Sequence, residues 1–271
     1  MAVVIPEFIT KVSPPRRQES FVRRQRLIDL LHEHIHLRLQ IVSAPAGYGK
    51  TTLLADFAND IDIPVCWYSF DATDQDPGVF LEGILASIRF RFSDFGKLTQ
   101  SHLLAAGDVI KEASHLISTL TGEIHTTIPE YFLLILEDYH FVQDSDATKR
   151  LLDLLLDRAS DNCHIIISSR SPVELPSISK LVVQRQVARL DASHLSFTPE
   201  EVKELLTKHY DLRLSDADAD KLASDMEGWI VGILFRTHGL FVGDPHRETR
   251  MLTQQDIFRY LASEVYDRQP S

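Results

Sequence analysis

Arg38-Leu39-Gln40-Ile41-Val42-Ser43-Ala44-Pro45-Ala46-Gly47-Tyr48-Gly49-Lys50-Thr51-Thr52 is the stretch whose reading decides the fold. It opens as an apolar strand over 38–43, breaks into a Pro/Gly loop, and passes into a helix over about 50–59. A loop of this kind, leading into a helix N-terminus, is an anion cradle: successive backbone N–H groups turn inward and the helix dipole favours negative charge. Gly47 and Gly49 permit the backbone angles and close approach that such a nest needs. Lys50 is placed to reach β and γ phosphates and the Thr51 hydroxyl to ligate Mg²⁺, so residues 44–52 read as a phosphate loop for ATP or ADP. Pro45, Ala46, Tyr48 and Thr52 complete the expected binding segment.

Outward from the loop, strands and helices alternate. Arg24–Leu37 reads as a helix, 65–70 as a strand, the region around 80–92 as an amphipathic helix, and about 101–121 as another. Phe132–Leu136 (FLLIL) is the most hydrophobic strand, followed by a helix at 151–156 and strands at 164–168 and within 181–190. These strands are continuous apolar runs, which marks burial on both faces and hence a parallel sheet covered by helices. The expectation is a three-layer α/β domain over 21–195, preceded by a Pro- and Arg-rich extended leader over 1–20. After Asp191 only helical signals remain. Thr198-Pro199-Glu200-Glu201 is an N-cap, a first-turn proline and a capping-box glutamate. Ser215 with Asp218 repeats the start signal, and Gly228 stops the helix. Helices near 229–241 and 255–266 complete a small all-α unit over 196–271.

Two further constellations join the loop. Glu137-Asp138 ends the FLLIL strand, where an acid ligates Mg²⁺ through water and a second acid orients and deprotonates the attacking water. Ser168-Ser169-Arg170 ends a further apolar strand, which the resemblance to phosphate-loop ATPases implies lies between the loop strand and the acidic strand. From there Ser169 and Arg170 would sense the γ phosphate or stabilise charge. Lys50, Glu137, Asp138 and Arg170 are thus the expected catalytic set, and Thr51, Glu137 and Asp138 the expected metal ligands.

The chain of 271 residues, 44% hydrophobic and 25% charged, has an ordinary globular composition. Its net charge of −11 argues against a surface devoted to nucleic acid. No secretory signal or membrane span is read from it, and Cys66 and Cys163 are expected as reduced core thiols of a cytoplasmic protein. His32, His34 and His36 fit a helix C-terminus better than a zinc site. Asp216, Asp218 and Asp220 lack the glycine and final glutamate of a calcium loop.

Taken together, VRRQRL (22–27), SAPAGYGKTTLL (43–54), WYSFD (67–71), LILEDYHFV (134–142), IIISSR (165–170), LDASHLSFTPEE (190–201) and GWIVG (228–232) resemble the ATPase module of MalT-like regulators. These are LuxR-type activators of the signal-transduction ATPase (STAND) class. The resemblance implies a P-loop fold of the ASCE type with a helical lid. It places Arg24 and Arg26 near base and sugar, and Trp229 on a lid that closes over the nucleotide. The family's first acid is usually Asp, and Glu137 stands there instead, which leaves open which acid ligates Mg²⁺. The resemblance further implies an N-terminal fragment of a longer regulator, ending on the way into a winged-helix region. Self-association, an inducer site and DNA binding would belong to the longer protein. The favoured expectation is a slow regulatory ATPase. A nucleotide-locked interaction module without turnover, and less so a small-molecule kinase, are the alternatives.

Overall fold

The computed structural model describes residues 8–16 and 21–241. The expected helix at 255–266 lies outside them. Five strands, β1 (Leu39–Ser43), β2 (Val65–Ser69), β3 (Phe132–Glu137), β4 (Cys163–Ser169) and β5 (Val187–Leu190), form one all-parallel sheet in the order β2-β3-β4-β1-β5. Eleven α-helices occur among the described residues. Those of the α/β part are α1 (Gln25–Glu33), α2 (Lys50–Asp60), α3 (Pro77–Arg91), α4 (Lys97–Ala105), α5 (Ala113–Thr127), α6 (Asp146–Arg158), α7 (Pro176–Val183) and the short α8 (Ala192–Leu195). Three more follow, α9 (Pro199–Tyr210), α10 (Asp216–Asp225) and α11 (Ile230–Phe241).

The layers follow from side-chain alternation within buried strands. All six residues of β3 are buried. Leu134 and Leu136 join one core with Phe80, Leu120 and Leu155 from α3, α5 and α6. Leu133 and Ile135 point the other way, into a core with Leu27, Leu31, Leu54 and Phe57 from α1 and α2. A third, smaller core belongs to the C-terminal helices, where Val202, Leu206, Leu222 and Ile233 pack together and also take Val22.

The structure differs from the sequence reading at several boundaries, each with a local cause. The helix expected at 101–121 is two helices, because Asp108 accepts hydrogen bonds from the Ile110 and Lys111 N–H groups and turns the chain between α4 and α5. The segment 181–190 holds a strand only from Val187, since α7 runs to Val183 and Arg185 takes φ +56°. α1 stops at Glu33, and His34 to Leu37 turn into β1. Within the stretch expected to be an extended leader, residues 8–12 form a turn that packs down: Phe8 and Val12 are buried, and the Lys11 carbonyl accepts from the Ser69 N–H.

Sheet order places the site. β4 lies between the loop strand β1 and the acidic strand β3, with Ser43 beside Ser169 and Leu136 beside Ile167. On the far side of β3, Ser69 of β2 lies beside Glu137. The loop, both acids, Ser169-Arg170 and Ser69 therefore gather at the C-terminal edge of one parallel sheet, where ligands bind in folds of this kind.

Candidate functional site

The loop takes the conformation its glycines allow. Gly47 has φ +82° and Gly49 φ +76°, and Gly49 caps α2 without any side-chain bond. No acidic residue occupies the first turn of α2, so nothing there competes for the positive end of the helix. Lys50, the first residue of α2, is 7% exposed, and its Nζ donates to the carbonyls of Ala44 (2.7 Å) and Pro45 (3.1 Å). Burial pushes its ammonium down to about 8; Asp138 and, more weakly, Glu137 pull it back up, while Arg170 acts with burial. The lysine thus feels all three other members of the expected catalytic set.

The two acids are held differently. Glu137, the last residue of β3, is 4% exposed, and its Oε2 accepts from Ser69 Oγ at 3.1 Å. Ser69 Oγ in turn accepts from the Trp67 indole Nε1 at 2.8 Å. Burial first, then the charge of Asp138, raise the Glu137 carboxyl to about 7, against Thr51, Ser69 and Lys50. Its Oε1 is buried and takes no hydrogen bond of ordinary geometry, although Thr51 approaches the same carboxylate from α2. Asp138 leaves the strand in the left-handed region, φ +62°, with its N–H donated to the buried Ser168 Oγ at 3.1 Å. His140 Nδ1 lies 3.6 Å from Asp138 Oδ1.

These residues fit a nucleotide-bound Mg²⁺. A hydroxyl and two carboxylates are hard oxygen donors, and a buried carboxylate oxygen without a hydrogen bond is an acceptor in wait of a donor or a cation. Among the described residues no three His, Cys, Asp or Glu converge as a protein-only metal site. Mg²⁺ takes one or two protein ligands and completes its shell with phosphate and water.

The C-terminal helices reach the loop. Trp229 Nε1 donates to the Ala46 carbonyl at 3.0 Å. A Cβ on Gly47 would lie 2.6 Å from Val231 Cγ2 and 2.7 Å from Trp229 Nε1. Gly228, φ +68°, stops the preceding helix and lets the chain pass so close to the 196–197 junction that a Cβ would sit 2.6 Å from the Phe197 nitrogen.

Arg24 and Arg26, expected near a base and sugar, are engaged by protein atoms. Both bond to Glu201 and both donate to the Ser196 carbonyl. Arg24 also reaches the Tyr48 carbonyl at 3.5 Å and stacks over Phe197 at 4.2 Å. Burial lowers its pKa, and Glu201 opposes that. Glu201 meanwhile accepts the Thr198 N–H in the capping box of α9.

Loop, acidic strand, intervening strand and sheet order together decide the fold. The chain has the α/β fold of a P-loop nucleotide-binding domain, with a five-stranded parallel sheet in the order β2-β3-β4-β1-β5. It is 30% identical over 226 residues to the HTH-type transcriptional regulator MalT of Yersinia pestis, covering 83% of this chain and 24% of that protein. It is 29% identical over 236 residues to the serine/threonine-protein kinase PknK of Mycobacterium tuberculosis, covering 84% of this chain and 20% of that one. The module therefore spans a fifth to a quarter of the curated relatives it matches. No family model matches it. In fold it resembles a STAND protein with a tetratricopeptide repeat sensor from Pyrococcus horikoshii, at TM-score 0.56 and 16% identity over 92% of this chain and 33% of that one. It also resembles a Walker-type ATPase of Pyrococcus abyssi, at TM-score 0.51 and 16% identity over 87% and 72% of the two chains.

Sequence reasoning about the module missed Ser69, Trp67 and Ser168 as supports of the acids. Their signal is positional: Ser69 ends the strand that flanks β3, and only the strand order puts it beside Glu137. Glu201 was legible as a cap but not as a double arginine partner, because 175 residues separate it from Arg26. The histidines at 32 and 34 have local partners, Asp60 Oδ2 and the Leu30 carbonyl. No described helix is long and apolar enough to cross a membrane.

Proposed function

We propose that this module binds ATP and ADP with Mg²⁺, hydrolyses ATP slowly, and serves as the nucleotide switch of a cytoplasmic transcriptional regulator. The observation that carries the reading is the double contact on the loop: Trp229 from the C-terminal helices holds the Ala46 carbonyl, and Arg24, itself bound to Glu201, reaches the Tyr48 carbonyl. A ligand in the loop therefore cannot be indifferent to how the helical lid expected over 196–271, described to residue 241, sits on the α/β part over 21–195. A ligand that contacts one arrangement better than another shifts the population between them.

Each residue has a part in this reading. Lys50 exchanges its carbonyl partners for phosphate oxygens, which restores the charge that burial disfavours. Thr51, which approaches the Glu137 carboxylate, and Glu137 with its buried Oε1 would hold the cation's shell, a reading that favours Glu137 over Asp138 as the ligand. Mg²⁺ supplies neutralisation of phosphate charge when bound. Asp138, turned off the strand and electrostatically the nearer acid to Lys50, takes the proton of the attacking water. Arg170, whose charge acts on Lys50, steadies charge at the γ phosphate. Self-association, inducer sensing and DNA binding are assigned to other domains of a larger regulator, a role suggested by the likeness to MalT.

Phosphate release under multiple turnover tests the enzyme. Wild-type protein should exceed Lys50→Ala, and equal rates would reduce the module to a nucleotide-locked interaction unit. The tight lid contact favours that second reading enough to call for a second measurement, the nucleotide freed on denaturing the purified protein.

A further inference from the structure

Ser69 Oγ bonds the Glu137 carboxylate, and the chemistry of its neighbours fixes the direction of its proton. A hydroxyl has one hydrogen to donate and two lone pairs to offer, whereas an indole N–H only donates. Trp67 Nε1, 2.8 Å away, therefore takes a lone pair of Ser69 Oγ. The one remaining proton points to Glu137 Oε2 at 3.1 Å. Trp67 is 1% exposed and locked in the α1/α2 core, so the donor at the head of this relay has no freedom to turn away. The register of β2 on β3 sets Ser69 opposite Glu137, and the Phe70 N–H bonds the Glu137 carbonyl, so backbone and side chain pin the same residue.

The consequence falls on the other oxygen. With Oε2 held from the β2 side, Oε1 is left buried without a hydrogen bond of ordinary geometry, while Thr51 approaches the same carboxylate from α2. We infer that Trp67 and Ser69 form a positioning relay that presents Glu137 Oε1, together with Thr51, to the divalent cation accompanying a nucleotide. The inference rests on the nucleotide reading given above. It adds that Ser69 acts on the metal-dependent part of binding, from the β2 side of β3.

The experiment measures ADP affinity of the full 271-residue chain by calorimetry, once with excess Mg²⁺ and once with EDTA. Its readout is the ratio of the two affinities, repeated with Mn²⁺. In Ser69→Ala the ratio falls about 10-fold, the usual effect of removing a group that orients a metal ligand. The EDTA affinity stays at the wild-type value. Ser69→Thr keeps the hydroxyl and restores the ratio. An unchanged ratio in Ser69→Ala overturns the relay, as does an equal fall in both affinities, which marks a merely structural role. A wild-type chain that binds ADP equally well with and without metal also overturns it while leaving nucleotide binding intact. A wild-type chain that binds no nucleotide under either condition removes the underlying function as well.

Discussion

Trp229 Nε1 donates to the carbonyl of Ala46 across 183 residues of sequence, tying the entry of α11 to the phosphate loop. The contact is tight enough that Gly47 has no room for a side chain, and its φ of +82° disfavours one in any case. Gly47→Ala should cost about 1 kcal/mol from the backbone alone. It should cost more in the presence of Trp229 than in a Trp229→Ala background. Urea unfolding of the four proteins in this cycle measures the coupling, expected at roughly 1 kcal/mol for groups in contact. Additive effects would mean that the helical part does not rest on the loop in solution.

The two arginines around Glu201 should differ in weight. The Arg24 side chain is 6% exposed and that of Arg26 36%, against the same carboxylate. Removing one partner of a buried pair leaves an uncompensated charge, so Arg24→Ala should destabilise by about 3 kcal/mol. It also loses the stacking over Phe197. For Arg26→Ala the loss should be within about 1 kcal/mol, as for solvated pairs. Equal losses in denaturant titrations would show that Glu201 is not the buried anchor described.

How far the sequence carries is visible in these same residues. Residues 44–52 were legible because their chemistry is local: two glycines, a lysine and a threonine between a strand and a helix dictate an anion nest without help from distant chain. The place of β4 between β1 and β3 was expected from the likeness to phosphate-loop ATPases and not from the apolar run itself, and the sheet has that order. Glu201 and Ser69 were not legible, because their partners are set by docking and register, quantities that periodicity does not encode. The break at Asp108 was missed for a related reason: a side chain bonding to nearby N–H groups outweighed a helix-like apolar spacing.

Stability of the nucleotide-free chain should depend on pH through Glu137. Its carboxyl titrates at about 7 in the folded protein, above the ordinary 4.5. Between those values the folded chain keeps a proton that the unfolded chain has released. The corresponding stability is complete below about 4.5 and lost as pH rises through about 7. Glu137→Gln holds the side chain neutral throughout. It should melt like wild type at acid pH and above wild type at alkaline pH, by up to ~3 kcal/mol once the carboxylate is fully ionised. A variant that melts below wild type at alkaline pH would contradict a burial-dominated shift.

Lys50 offers the sharpest separation of stability from function. Without nucleotide its ammonium is buried against two carbonyl oxygens, and burial lowers its pKa from 10.5 to about 8. A cation so placed stabilises the empty protein little or not at all, and its purpose is a partner of opposite charge. Lys50→Ala without ligand should therefore melt no lower than wild type near neutral pH. With ADP and Mg²⁺ at 100 times Kd, wild type should gain about 2.7 kcal/mol and the variant almost none. Melting curves with and without ligand give both quantities at once. A variant that is destabilised when empty yet keeps the ligand shift would assign Lys50 to the scaffold and take the phosphate from its ammonium.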